Sequence, residues 1–281
     1  MPATMRHRLR ARARPAGIVL AAALAMAPLA HAASADDVVR PIDPDRPDLT
    51  NGTATVSRGM LQIETGVEYS RTSVGGAPTE QRFSVPLVLR FGVLDRLEVR
   101  VESEPLVRLR GAEDDTGFGD LKLGLKWGFF DVEEGDWRPA LGLLPFVKLP
   151  TADAPIGSER PDFGLLLLIS YNMPFDFSLD VNVGGFAIGQ SHPSGYLAQG
   201  QLSGSLQRAV LTERLVGFVE LFYFSRDERD GHHRFGGDMG VIYRLTPDLA
   251  LDTALETTLT GRGPDFAVRA GLSTRFGGKT R

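Results

Sequence analysis

Cysteine is missing from all 281 residues. That removes disulfides, thiolate metal ligands and cysteine nucleophiles together, and it leaves nothing for a lipoprotein anchor to modify. Histidine is almost as scarce: beyond residue 32 there are only His192, His232 and His233. No run approaches the ~20 apolar residues of a membrane-spanning helix. Gly-rich phosphate loop, zinc-binding helix motif and nucleophile elbow are all lacking. Basic charge is short as well. The chain has 31 basic and 35 acidic residues, and Arg6, Arg8, Arg10, Arg12 and Arg14 lie in the first 32 residues, where there is no acid. The remainder carries 26 basic against 35 acidic side chains, a net charge of −9. Phosphate backbones are bound by clustered basic charge, so a nucleic-acid partner is not expected.

What is present begins with a leader. The five arginines precede an apolar run at 17–30, and Ala30-His31-Ala32 fits a small-residue cleavage site, the three parts of a secretory signal peptide. The arginines are not adjacent, so general export is expected rather than the twin-arginine route, with the mature chain starting at Ala33. Residues 33–58 carry Pro41, Pro44 and Pro47 among charged residues and read as an extended segment.

From residue 59 onward, polar and apolar residues alternate. In the clearest stretch Phe266, Val268, Ala270, Leu272, Thr274 and Phe276 share one face, and Ala267, Arg269, Gly271, Ser273 and Arg275 the other. Period two is the signature of a strand with one greasy and one polar face. Strands are expected near 59–71, 80–92, 96–104, 117–129, 139–149, 163–172, 175–186, 195–208, 214–225, 234–245, 248–259 and 265–276. The even count suits a single-chain barrel with both ends on one side of the membrane. Links alternate in length. Long ones are expected at 72–78, 105–115, 150–162, 190–194 and 227–233, and tight ones at 93–95, 173–174 and 246–247. The exception is 131–137, a longer link on the tight side.

The aromatics separate a membrane barrel from a soluble sandwich. Phe83 and Phe91, Phe163 and Tyr171, Phe235 and Tyr243, and Phe266 and Phe276 bracket four apolar faces. Spacings of eight to ten residues on tilted strands span roughly 20–25 Å, the height of an outer-membrane apolar band between its two aromatic girdles. The expected fold is therefore all-β, a transmembrane antiparallel β-barrel of about twelve strands. Its parts are a signal peptide at 1–32, an extended segment at 33–58, a barrel at 59–276 and a tail at 277–281.

Several segments carry a family resemblance. They are Asp45-Arg46-Pro47-Asp48 with Thr50, Gly59-Met60-Leu61-Gln62-Ile63-Glu64-Thr65-Gly66, Gly119-Asp120-Leu121-Lys122-Leu123-Gly124-Leu125-Lys126 and Val147-Lys148-Leu149-Pro150-Thr151. The stretch 243–252, with its Leu245-Thr246-Pro247-Asp248 turn, and the ending Gly271-Leu272-Ser273-Thr274-Arg275-Phe276 match best. In these the chain resembles the outer-membrane transporter family named for the meta-pathway of phenol degradation. The resemblance implies an outer-membrane pore or transporter associated with uptake of aromatic compounds. Barrels of this kind commonly end on an aromatic read by the barrel assembly machinery, whereas here Gly277 to Arg281 follow Phe276.

The inward phase carries the candidate lumen-lining residues Glu64, Arg82, Arg90, Glu98, Arg100, Lys122, Lys126, Glu220, Asp252 and Arg269. Twelve tilted strands enclose a backbone radius of about 12 Å, so long side chains from opposite walls nearly meet. Mixed signs on neighbouring strands read first as ion-pair ladders, and alternatively as a selectivity constriction. Phe218, Phe222 and Phe224, Leu166 and Leu168, and Leu144 and Phe146 break the polar pattern. They are either an apolar lining for a greasy permeant or, as the simpler reading, strands whose phase is misassigned.

The expected function is passive uptake of small molecules, hydrophobic or aromatic ones among them. Outer-membrane lipid, the permeant and the assembly machinery are the expected partners, no cofactor or metal is expected, and the oligomeric state is left open. Two other classes compete. A barrel lipid or peptide hydrolase needs a positioned histidine, and all three fall in expected outer loops, His232 and His233 just after the acidic run 227–230. A structural or adhesion barrel would carry longer outer loops than these.

Overall fold

The computed structural model describes residues 41–277 except 74, 76, 77, 113, 131–137, 192 and 227. The expectations for the leader, for Ala33, for the link 131–137, for His192 and Asp227 and for the tail beyond Gly277 lie outside the described residues.

The alternating stretches form strands β1 (Leu61–Thr72), β2 (Glu80–Leu94), β3 (Leu97–Arg110), β4 (Asp115–Gly117), β5 (Leu121–Gly128), β6 (Ala140–Leu149) and β7 (Asp162–Met173). They continue as β8 (Phe177–Gln190), β9 (Gly195–Val210), β10 (Thr212–Phe224), β11 (Arg234–Thr246), β12 (Leu249–Gly261) and β13 (Phe266–Phe276). Consecutive strands pair antiparallel, except that β5 pairs with β3 rather than with the short β4, and β13 returns to β1 from Leu61↔Phe276 to Arg71↔Phe266, so the sheet closes on itself. Strands β4 and β5 both pair with β3 and together make one stave, giving a twelve-strand barrel. Closure leaves no unpaired edge, which is what a sheet needs in hydrocarbon.

Two elements depart from the expected strands, each for a local reason. The segment 105–115 was expected to be a loop, yet β3 runs on to Arg110. Pro86 and Pro105 have no N–H to give the ladder, so the register skips from Leu87↔Ser103 to Val85↔Leu106. The skip resets the phase, and Val107 rather than Leu106 becomes buried. The expected strand 117–129 breaks at Phe118-Gly119-Asp120, where Asp120 accepts from Ala152 N at 3.0 Å and Ser158 N at 2.9 Å and draws the 150–161 link over the barrel end.

The outward phase is apolar: Leu202, Val219, Leu221, Met239 and Leu255 are each more than half exposed. Rings cluster where these faces end. Tyr69 meets Phe266 at 6.1 Å and Phe163 meets Tyr196 at 6.0 Å at the end with the long links, and Trp127 meets Phe129 at 5.0 Å at the other. Two ends are thus distinct, a turn end carrying both barrel termini and a loop end.

Candidate functional site

Residues 41–58 do not hang free. Proline holds φ near −65° and suits extended chain, and the segment crosses the turn half of the barrel interior as a strap. Ile42 is fully buried, and Thr50 and Val56 nearly so. Ile42 N donates to Pro247 O at 2.7 Å, and its side chain packs on Val216, Ile242 and Ala250. From there the strap engages strands around the wall.

Asp45 is the ionic centre. Its carboxylate accepts from Lys126 Nζ at 2.9 and 3.0 Å, lies 3.2 Å from Arg90 NH1 and is bonded by Arg100 NH1. Burial alone would raise the Asp45 pKa, but Arg90, Lys126 and Arg100 outweigh it and hold the carboxyl well below the usual range. Wall acids complete the network. Glu98 takes Arg90 Nε at 2.8 Å, Glu64 takes Arg90 NH1 at 2.9 Å, and Glu102 bridges Arg100 Nε at 3.2 Å and Lys122 Nζ at 3.0 Å.

The next strap residues are held by single side chains. Arg46 pairs with Asp252 at 3.4 Å. Its guanidinium lies over the paired Gly66 and Gly271, where a β-carbon on either would come within 2.7 Å of Arg46 NH2. Arg269 NH1 donates to Pro47 O at 3.3 Å. Glu220 accepts from Leu49 N and Thr50 N, each at 2.8 Å, and from the Thr50 hydroxyl. Asn182 exchanges two 2.8 Å bonds with the Asn51 backbone, Ser170 Oγ accepts from Thr53 N at 3.0 Å, and Glu98 accepts from Val56 N at 2.7 Å. Asp48 is placed among acids instead. Burial first, then the charge of Glu220, with Asp180 and Asp238 adding, pushes its carboxyl well above the usual range.

The ten candidate residues therefore divide. Glu64, Arg90, Glu98, Arg100 and Lys126 are buried and come together around Asp45; Glu220 and Asp252, also buried, grip separate parts of the strap. Lys122 links that network to the loop half. Arg82 pairs there with Glu104, and Arg269 with Glu68 at 2.9 Å, Asp238 at 3.0 Å and Glu256. Sequence reasoning did not single out Asn182 or Ser170, because a neutral inward residue carries no signal of its own, and it held Gln62, whose amide reaches Asp43 O at 3.2 Å, only as part of a family segment. Asp45 and Arg46 did stand in a motif, but nothing in it named their partners.

The apolar inward residues correct the misassigned-phase reading. Leu144, Leu166, Leu168, Phe218 and Phe222 are buried inside the barrel. The inward rings lie close over glycines of the wall: a β-carbon at Gly164 would be 2.2 Å from the Phe146 ring, and one at Gly236 would be 2.6 Å from Phe222. Phe146 and Phe186 meet at 5.5 Å, and Phe222 and Phe224 at 6.1 Å. Between these two groups, β9 turns Gln199, Gln201, Ser203 and Ser205 inward. The loop half is thus two-sided. Strands β12, β13 and β1–β5 face it with paired charges, and β6–β10 face it with rings, leucines and uncharged polar groups, their inward charges being the rim pair Lys148–Asp162 and, against the strap, Asp180 and Glu220. Lys122 Nζ, 4.3 Å from the Phe146 ring centre, marks one seam. Among the described residues no His, Asp and Glu cluster is arranged to hold a metal ion.

A closed twelve-strand antiparallel barrel, greasy outside and polar inside with an aromatic girdle, is a barrel of the outer-membrane class. The chain belongs to the family described as "Putative MetA-pathway of phenol degradation", whose profile matches residues 44–276. The solved structures it is similar to include the COG4313 outer membrane channel from Pseudomonas putida F1, at 15% identity and a TM-score of 0.61, with 84% of this chain and 100% of that chain covered. They also include the KdgM porin, at 10% identity and a TM-score of 0.50, with 77% and 99% covered. At these identities the likeness is one of fold. No curated protein matches the sequence.

Proposed function

We propose that the protein is an outer-membrane conduit for passive uptake of small molecules, exported by the leader at 1–32 and placed by the barrel assembly machinery, with its turn end in the periplasm. The observation that carries this reading is the divided interior. A conduit must hold a permeant without trapping it, and a lumen with charges on one side and rings on the other suits small molecules that have an apolar body and a polar group. Aromatic compounds fit that description, in keeping with the family's name. The strap defines a closed arrangement, because it crosses a lumen of about 12 Å backbone radius and reaches both walls. The lumen-lining set is Glu64, Arg82, Arg90, Glu98, Arg100, Lys122, Lys126, Glu220, Asp252 and Arg269. A hydrolase reading has less support: the His233 ring stacks on Tyr223 at 5.9 Å, and its 3.3 Å contact with the Thr260 hydroxyl lies exposed on a loop rather than in an enclosed, water-excluding site.

Planar-bilayer recording tests the reading. The purified protein should show small, discrete conductance steps that persist when His232 and His233 are both changed to Ala. Protein that never conducts, yet hydrolyses lipid or peptide in a manner lost with those histidines, overturns it.

A further inference from the structure

Asp45 is not part of the wall, yet three buried wall cations converge on it. Lys126 Nζ has as its hydrogen-bond acceptors the two Asp45 oxygens and Ala54 O at 3.0 Å, all of them on the strap. Arg100 NH1 likewise reaches Asp45 and, at 3.0 Å, Asn51 Oδ1, again on the strap. The wall side chains in direct ion pairs around this point are four cations, Arg90, Arg100, Lys122 and Lys126, and three acids, Glu64, Glu98 and Glu102. The strap's carboxylate supplies the balancing charge. If the strap lifts away, buried Lys126 loses these acceptors and Arg90 and Arg100 lose a carboxylate, and leaving buried cations short of partners costs far more than the pairs contribute when made. Something anionic must then take the place of Asp45.

We infer that Arg90, Arg100 and Lys126 form a carboxylate-binding site, that Asp45 occupies it as a built-in surrogate, and that a free carboxylate and the strap exchange there. The donor arrangement selects the class of ligand. Asp45 Oδ2 gathers Lys126, Arg90 and Arg100, and Oδ1 takes a second contact from Lys126, so both oxygens of a carboxylate are engaged, where a halide at the Oδ2 position leaves the Oδ1 position empty. The site is enclosed by neutralising acids on either side, which holds it to a single negative charge. This deepens the conduit reading and rests on it: a small carboxylate crossing the barrel would open its own path by displacing the strap.

Radiolabelled acetate, measured by equilibrium dialysis against the detergent-purified full chain, tests the site without any conductance. Asp45→Ala, checked as folded by heat-modifiable migration, should bind one acetate per chain at least about tenfold more tightly than the unaltered protein, since the surrogate no longer competes. Adding Lys126→Met should abolish that binding. Folded Asp45→Ala binding acetate no better than the unaltered chain overturns the proposal. A second measurement keeps the aspartate. With no native cysteine, a single Thr53→Cys reports strap exposure to a maleimide, and acetate should accelerate its labelling where equal chloride does not. Identical rates in the two salts also overturn it. A barrel that binds acetate but carries no current would refute the conduit and leave the site standing.

Discussion

Glu220→Gln isolates the grip of one wall residue on the strap. The native carboxylate accepts from two strap amides, Leu49 N and Thr50 N, both at 2.8 Å, as well as from the Thr50 hydroxyl. A hydrogen bond to a charged group contributes about 1.5–3 kcal/mol, against roughly 1 kcal/mol for a neutral one. Gln keeps the shape but offers one acceptor oxygen, so one amide is left facing an NH2 group while the other bond loses its charge. Relief of the repulsion between Glu220 and Asp48 works the other way, which places the net loss near 2–3 kcal/mol. At 1.4 kcal/mol per factor of ten, the undocked fraction of the strap should rise about 30- to 150-fold. Maleimide labelling of Thr53→Cys reads this directly, because Thr53 is buried and its rate follows the undocked population. Equal rates with and without Glu220→Gln, in barrels that both remain heat-modifiable, would show that these bonds do not hold the strap.

Two further outcomes are expected. Leu202→Arg should prevent assembly into vesicles, since Leu202 is 53% exposed midway along β9 and a cation at the bilayer midplane costs roughly 2–4 kcal/mol, whereas Gln199→Arg on the inward phase of the same strand should assemble; equal damage would mean the facing is reversed. Asp48→Asn should hold the strap more firmly at neutral pH. A docked carboxyl raised above its undocked value contributes fully to docking below the undocked pKa and loses that contribution as pH rises through the docked one, so labelling of Thr53→Cys should increase with pH in the native chain and lose most of that dependence in the variant.

The barrel was legible because its two signals are independent. Alternation set the facing of Phe266 to Phe276, and ring spacing set the height, and neither requires knowing what a strand touches. Where local chemistry interrupts alternation, legibility fails. Pro86 faces the two residues Glu104 and Pro105, and the resulting skip moves Val107 inward, so a reading that continues one phase past Ser103 must end the strand early. The inward apolar residues were visible but undecidable, since Leu166 and Leu165 are equally greasy and only the glycines beneath Phe146 and Phe186 show which face has room for rings. The strap was visible as an extended segment, but its place in the lumen was not, for a different reason. Its extended backbone has no period, and its partners are fixed by the curvature that brings β3, β8 and β10 to one point. Asp45 and Arg100 are 55 residues apart, and Thr50 and Glu220 are 170 apart.

The way the strap is held bears on how it can leave. Its apolar contribution is small, centred on Ile42 against Val216, Ile242 and Ala250, while its other anchors are hydrogen bonds and ion pairs. Hydrophobic burial cannot be replaced by water, but each polar bond can be, one at a time, once the lumen is wet. A thin extended segment therefore undocks by stepwise exchange of partners, in contrast to a packed domain that must lose its core contacts together. The ion pairs around Asp45 are the exception, because desolvated charges do not tolerate a vacant intermediate. That makes the Arg90, Arg100 and Lys126 cluster the step at which the strap waits for a replacement, and it places control of the closed arrangement in the turn half. The rings and paired charges of the loop half are left free to sort what arrives. Sorting and closure thus occupy different heights of the same barrel, so changing Phe146 or Phe222 should alter which molecules bind while leaving the hold of Asp45 as it is.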